Sequence, residues 1–283
     1  MNKQLSVIIP TLNESGNVEK LVDRLKPALA NISWEAIFVD DNSTDGTQEI
    51  LDELAVKNSN IKVIHRTNVT GLSSACITGM LSSNADYIAI MDADLQHDEK
   101  LLSKMLTSLE NTTDNIDIVI ASRFANGASL GRFSPIRKLI SKSGNFIARK
   151  AANIELSDPL SGFFMIKSTA FKEAHQKLYG KGFKILLDIF ATSKKPLNFI
   201  EIPLKFGIRH SGESKLNSTI ALEFLSLICY KLLGKKIPIS FYLFCFVGLI
   251  GVGVHMLVLF ILFQASQLPF LWSQSTATFV AMT

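Results

Sequence analysis

Four oxygen-bearing side chains stand close together at the end of one apolar run. Residues 87–98 read YIAIMDADLQHD, so a hydrophobic stretch stops at Asp92, Asp94, Gln96 and Asp98. Residues 87–91 have the length and apolarity of a short buried strand. Side chains alternate along a strand, so Asp92, Asp94 and Gln96 are expected on one side if the extended backbone continues past its end. Oxygen ligands of this kind suit a hard divalent cation, Mg²⁺ or Mn²⁺, completed by waters and substrate phosphates. A strand followed by a polar turn and a helix capped by Asp98 would look the same in isolation.

The elements that position these residues follow from the rest of the chain. Residues 5–10 (LSVIIP) read as a strand, and a polar turn through Leu12 and Glu14 leads to a helix over about 17–30. A second strand at 36–39 ends in DDNSTDGT, followed by a helix over 47–57. A third strand at 61–65, a helix at 71–83 and the strand at 87–91 continue the alternation. Strand–helix alternation with short loops predicts a parallel, doubly wound sheet that gathers ligands at the carboxyl ends of its strands. All three polar clusters fall at such ends. Neither GxGxxG nor GxxxxGK occurs, so a nucleotide diphosphate would need counter-charge from another source. A metal on Asp94 and Gln96 would supply it. Asp40 could accept from a nucleobase N–H, and Glu14 and Asp92 could take base or ribose hydroxyl groups; each could equally be a turn or cap residue.

VIIPTLNES, FVDDNSTDGT and MDADLQHD, in this order over residues 5–215, resemble the family-two inverting glycosyltransferases of GT-A fold. That resemblance implies an α/β, Rossmann-like, mainly parallel sheet flanked by helices, here followed by transmembrane helices. It also implies a nucleotide-sugar site made by Pro10, Leu12, Glu14, Phe38, Asp40, Asp92, Ala93, Asp94 and Arg123, with metal on Asp94 and Gln96. Leu12 stands where the family often has an aromatic residue.

Further along, a strand over 117–122 delivers Arg123, and residues 134–154 combine Arg137, Lys138, Lys142, Arg149 and Lys150 with apolar positions at helical spacing. This basic amphipathic pattern suits a membrane interface, or a solvated helix packed on the core. Asp158 and Ser161 sit in a turn before another strand. A strand over 197–208, interrupted by Pro203, ends in RHSGESK, which carries Arg209 and Lys215. This loop resembles that of the polyprenol-phosphate (dolichol-phosphate) sugar synthases, in which the Arg and Lys meet donor and acceptor phosphates; Arg123, Arg137 and Ser141 fall where those enzymes bind phosphate. A QxxRW motif, carried by polymerising members, does not occur. Asp94, Arg123, Arg209 and Lys215 are thereby the implied catalytic set.

A phosphate monoester is anionic near neutral pH and attacks without a strong base. The expected reaction is therefore inverting transfer of a sugar from a GDP-mannose or UDP-glucose type donor to a polyprenyl phosphate. Transfer to a glycan hydroxyl, which would need a base and for which Asp158 is the one candidate, is an alternative. So is a non-catalytic lipid-sugar translocation or scaffold protein, which would be expected to have lost some of these residues. The five histidines read as structural or peripheral.

Composition divides the chain. All 29 Lys and Arg and all 25 Asp and Glu precede residue 237, although the net charge is only +4. Basic residues cluster at 123–150 and 231–236, which fits phosphates and an anionic membrane rather than nucleic acid. Cys76, Cys229 and Cys245 have no paired spacing, so neither a disulfide frame nor a zinc site is expected. The first 20 residues lack a signal-peptide core. Expected are a glycosyltransferase domain at 1–216, a juxtamembrane helix at 217–236 and a membrane region at 237–283. Residues 239–263 are long enough to span a bilayer. A second apolar segment starts near Leu268 and reads as cut short at Thr283. Lysines before the span place the catalytic domain in the cytoplasm of a multi-pass membrane protein. The segment FCFVGLIGVGVHMLVLFIL resembles the first helix of a GtrA-like membrane domain. A homo-oligomer is compatible with this reading.

Overall fold

A computed structural model describes residues 3–67, 71–111, 115–129, 135–152, 154–178, 180, 184–193, 195–207, 239–265 and 268–282. Arg209, Lys215 and the expected helix at 217–236 lie outside the described residues. The chain divides into two compact units, Met1–Ile228 and Cys229–Thr283.

In the first unit, β1 (Leu5–Thr11), α1 (Val18–Ala28), β2 (Trp34–Asp40), α2 (Thr47–Lys57), β3 (Ile61–His65), α3 (Leu72–Ser82) and β4 (Tyr87–Ile90) alternate as the sequence indicates. They are followed by α4 (Leu101–Glu110), β5 (Ile118–Ser122), α5 (Pro135–Ala152), β6 (Phe164–Lys167), α6 (Ser168–Ala174), α7 (Ile185–Thr192) and β7 (Phe199–Pro203). The seven strands form one sheet in the order β3-β2-β1-β4-β6-β5-β7. β1 to β4 are parallel, whereas β6 runs antiparallel between β4 and β5, so the sheet is mixed rather than wholly parallel. The strand expected over 197–208 is shorter, because Pro203 ends β7.

Apolar runs without alternation have a simple cause here. Leu5, Val7 and Ile9 pack on one face with α1 and α4, while Ile8 packs on the other with α3 and α7. Phe38 and Ala89 share the first face; Ile37, Val39, Ile88 and Ile90 share the second. Both faces of β1, β2 and β4 are covered, so both parities there are largely hydrophobic. Each fully buried Leu or Ile contributes roughly 1.5–3 kcal/mol relative to exposure. This rigid sheet fixes the strand ends that carry the polar clusters.

The second unit contains α8 (Ile239–Phe260), a π-helical turn (Ile261–Ala265) and α9 (Phe270–Met282). Within it, residues 247–264 form one segment long and apolar enough to cross a membrane. Phe244, Leu249 and Met256 are exposed on α8. α9, at 13 residues, is short of the ~20 needed to span. Gly251 lies close to α9, where a Cβ would stand 3.6 Å from the Ala281 carbonyl, and Ser273 and Ala277 are buried. Small residues thus let the two helices approach, although Gly248 and Gly253 face open space.

Candidate active site

The parallel half of the sheet supplies a network of hydroxyls, amides and carboxylates. Asp40, last in β2, is fully buried; it accepts hydrogen bonds from the Ser43 amide (3.0 Å), the Ser43 hydroxyl and Thr11 Oγ1 (3.3 Å). Asn13 adopts a left-handed φ of 58°, which asparagine tolerates. Its amide donates to Ser43 Oγ (2.8 Å), and its Oδ1 accepts from the Thr44 amide (2.9 Å). Glu14 donates its amide to Thr47 Oγ1 (2.9 Å) and accepts from Asn17 Nδ2 (2.7 Å). Asp45 caps α2 through Thr47 and also accepts from the Ser15 amide (3.1 Å). Burial pulls Asp45 upward, but the bonds from Thr47 and Ser15 prevail and hold its pKa at about 2. Two loops from different strands are therefore tied into one surface. Leu12, 41% exposed, lies at its edge. Pro10, Phe38 and Ala93 are buried, with Phe38 in the core and paired with both β1 and β3.

At the centre, the chain does not continue straight past β4. It bends at residues 93–95, and Leu95 takes a φ of 62°. The alternation expected for Asp92, Asp94 and Gln96 therefore does not hold; the bend sets the Asp94 carboxylate on the Gln96 amide instead. A left-handed leucine costs ~1–2 kcal/mol, and burial of its side chain at 5% exposure offsets that cost. Asp94 is buried and accepts from the Gln96 amide (3.1 Å). Gln96 Nε2 donates to the Gly207 carbonyl (3.1 Å) while the Gly207 amide donates to the Gln96 carbonyl (2.9 Å). Gln96 Nε2 is thereby committed as a donor, and its side-chain oxygen and the Asp94 carboxylate are oxygen donors by residue type. Among the described residues no group of three His, Cys, Asp or Glu could hold a metal. Two oxygen donors fit Mg²⁺ or Mn²⁺ that takes its remaining ligands from phosphates and water. Asp92 is more open. Its carboxylate lies against Gly162, where an added Cβ would meet Oδ2 at 3.2 Å. His97 accepts from the Asp92 amide through Nδ1 (3.1 Å), stacks on Phe163 at 4.9 Å and is buried, which is a structural role.

The mixed half of the sheet carries the Arg123–Asp158 ion pair. Arg123 follows β5, and its Nε and Nη2 donate to the two oxygens of Asp158 at 2.7 and 2.8 Å, with its amide adding a third bond at 3.1 Å. Burial disfavours the charge on Arg123, but this pairing outweighs it and raises the pKa. The Phe206 and Phe124 rings stand 5.9 and 6.0 Å from the guanidinium carbon. Asp158 is fully buried. Ser161 Oγ is committed to the Ala121 carbonyl at 2.7 Å.

Lys184, just before α7, was not singled out by the sequence. Burial and then the charge of Arg123 lower its pKa to about 8, with Asp158 and Asp92 acting the other way. Only the three-dimensional packing reveals it, because no motif surrounds it. On α5, Asn145 and Ala148 face inward, whereas Lys142, Phe146, Arg149 and Lys150 are exposed. Ser141 is half-buried on this helix; the side chain of Arg137 lies outside the described residues.

Comparison with known proteins bears on this arrangement. The model of glycosyl transferase family 2 matches residues 6–174. A dolichol-phosphate mannosyltransferase of Pyrococcus furiosus is 38% identical over 255 residues, covering 89% of this chain and 70% of that protein. That of Saccharomyces cerevisiae is 35% identical, covering 80% of this chain and 85% of its own. An undecaprenyl-phosphate mannosyltransferase of Micrococcus luteus is 30% identical over 76% of this chain and 88% of that one. Among solved structures, glucosyl-3-phosphoglycerate synthase from Mycobacterium tuberculosis, in complex with Mn²⁺, uridine-diphosphate and glucosyl-3-phosphoglycerate, shares the fold. Its TM-score is 0.59 at 17% identity, covering 83% of this chain and 81% of that one. Ordered strand-end clusters on a mixed Rossmann-like sheet, a match over more than half of the chain and relatives at 30–38% identity converge: the chain belongs to glycosyl transferase family 2.

Proposed function

We propose that the protein transfers a sugar, mannose being the first candidate, from a nucleotide-sugar donor to a polyprenyl phosphate, with inversion at the anomeric carbon. The names of the 30–38% identical relatives support the reaction class. One structural observation carries the choice of acceptor. Asp158, the candidate base for a hydroxyl acceptor, is fully buried and held by two guanidinium nitrogens of Arg123, Nε and Nη2. It is therefore unsuited to accept a substrate proton. A phosphate acceptor needs no such base.

In this reading the rim that carries Leu12 and Glu14, held in place by Thr11 and Asp40, takes the nucleoside. A divalent cation on Asp94 and Gln96 would neutralise charge on the leaving diphosphate. Arg123 orients phosphate from the opposite side, with Arg137 and Ser141 toward the acceptor, and Arg209 and Lys215 add cations. Holding donor and acceptor in line is most of the catalytic task. The exposed face of α5, with Lys142, Phe146, Arg149 and Lys150, suits an anionic membrane surface. α8 would anchor the chain, with the catalytic unit in the cytoplasm.

The test is transfer of labelled sugar from GDP-mannose, UDP-glucose or UDP-N-acetylglucosamine into extractable lipid by detergent-solubilised protein, with polyprenyl phosphate and Mg²⁺. Label from one donor, lost with chelator and in Asp94→Ala, is the expected result. Nucleotide binding without lipid labelling from any donor would overturn the acceptor.

A further inference from the structure

Behind Arg123 and Asp158 stands a second carboxylate. Glu201 lies in β7, paired in register with Ile120 of β5, so it sits beside the strand that delivers Arg123. The Ser157 amide donates to both of its oxygens, at 3.1 and 3.0 Å. Ser157 Oγ and the Asp158 amide donate to its Oε1 at 2.8 and 3.2 Å. One carboxylate thus accepts four contacts from two consecutive residues of an irregular turn. Sheet pairing satisfies the amides of a strand, but this turn has no such ladder. Glu201 takes its place.

The same turn is fixed to the far side of Arg123. Ser157 Oγ lies 2.6 Å from Ser122 Oγ, and Ser122 Oγ accepts from the Phe124 and Ala125 amides at 3.2 and 3.1 Å. Arg123 is therefore bracketed: its main-chain amide and guanidinium by Asp158, and the two residues after it by Ser122. Asn145 Nδ2 donates to the Ser157 carbonyl at 3.2 Å, which ties the turn to α5 as well. Without Glu201, two turn amides lose their acceptor beneath the carboxylate that sets the guanidinium plane. Planar bidentate recognition of phosphate depends on that plane.

We infer that Glu201 is a positioning residue for Arg123, acting through the Ser157–Asp158 turn. This inference rests on the proposed role of Arg123 in holding phosphate. A misplacement of about 1 Å can cost on the order of 100-fold in rate.

A double-mutant cycle tests it. Glu201→Ala should lower kcat/KM for lipid transfer by about 10- to 100-fold. Glu201→Gln, which keeps an acceptor oxygen, should restore most of the loss. In an Arg123→Lys background, Glu201→Ala should cost under about threefold, because the group it positions is already gone. An undiminished loss in that background, or a fall in melting temperature with unchanged kinetics, would overturn the inference. The same cycle is read as affinity for inorganic pyrophosphate, which needs no acceptor. Non-additive pyrophosphate binding together with no lipid transfer would sink the acceptor reading and leave the positioning role standing. Should Glu201→Ala fail to fold, Ser157→Ala removes one of the four contacts and is expected to give a smaller loss, again suppressed by Arg123→Lys. Full persistence of that loss would count against the role.

Discussion

The two halves of the sheet meet at one turn but solve different problems. In the parallel half, Thr11, Asn13 and Ser43 knit Asp40 into a network of hydroxyls and amides, and Asp41 beside it pairs with the buried Arg66 that follows β3. In the mixed half, Arg123, Asp158, Glu201 and Lys184 bring charges together around β5 and β7. Hydroxyl and amide donors held in place by carboxylates suit a base and a ribose. Cations held in place by buried carboxylates suit phosphates, whose charge would otherwise stay in water. Turn 92–96, with Asp94 and Gln96, lies between the two and is where a diphosphate would join them.

Arg123→Lys should separate the halves most clearly. Lysine keeps the charge but cannot make the paired bonds to Asp158, so transfer should fall by about 100-fold. Affinity for the unphosphorylated nucleoside should stay unchanged in equilibrium titration. Equal losses of nucleoside and phosphate binding would mean that the two regions are not independent. Asp40→Asn is the converse. An amide donor would face the Ser43 donors inside a buried site, at a cost of ~1–3 kcal/mol. The expected outcome is roughly tenfold weaker nucleoside binding with inorganic pyrophosphate affinity retained.

Lys184 sharpens the contrast through pH. Its pKa falls from 10.5 to about 8 in the folded chain. Between those values the unfolded chain binds more protons, so this group makes stability rise as pH increases through that window. An arriving phosphate anion reverses the preference and favours the protonated lysine. Pyrophosphate affinity should therefore weaken from pH of about 7 to about 9, beyond the ionisation of the anion itself. In Lys184→Met both trends should flatten, with a loss of about threefold at neutral pH. A wild-type pH profile preserved in the methionine variant would show that Lys184 lies outside the phosphate region.

Much of this was written in the sequence, for a physical reason. Strand–helix alternation follows from covering both faces of a sheet, so β1 to β4 and their helices emerge from apolar runs alone, and α2 and β3 match residue for residue. Asp94 and Gln96 could be read from residue type as oxygen donors suited to a hard cation. Their geometry could not, because alternation assumes an extended backbone and Leu95 turns left-handed. β6 runs antiparallel because of where it pairs, and pairing is non-local. Lys184 and Glu201 escaped for the same reason: each matters through residues at least 26 positions away, such as Asp158, Arg123 and Ser157. Asp158 was read as a possible base; only its pairing with Arg123 shows why it is unsuited to that task.

The smallest functional effect is expected where packing is tightest. Gly79 of α3 lies on the strands beneath the parallel half, and a Cβ there would stand 2.3 Å from Ile8 Cγ2 and 3.0 Å from Val39 Cγ2. Both neighbours are β-branched, fully buried and stiff, so they cannot swing aside. Gly79→Ala gains helix propensity of ~1 kcal/mol. Overpacking should outweigh that gain and leave a net loss of ~1–3 kcal/mol in denaturant unfolding. The strand ends carrying Thr11 and Asp40 lie beyond this contact, so the folded variant should keep wild-type nucleoside and pyrophosphate affinities. A change in nucleoside affinity alone would mean that the parallel half transmits strain from its core to its rim, and the rigidity assigned to that network would then be too great.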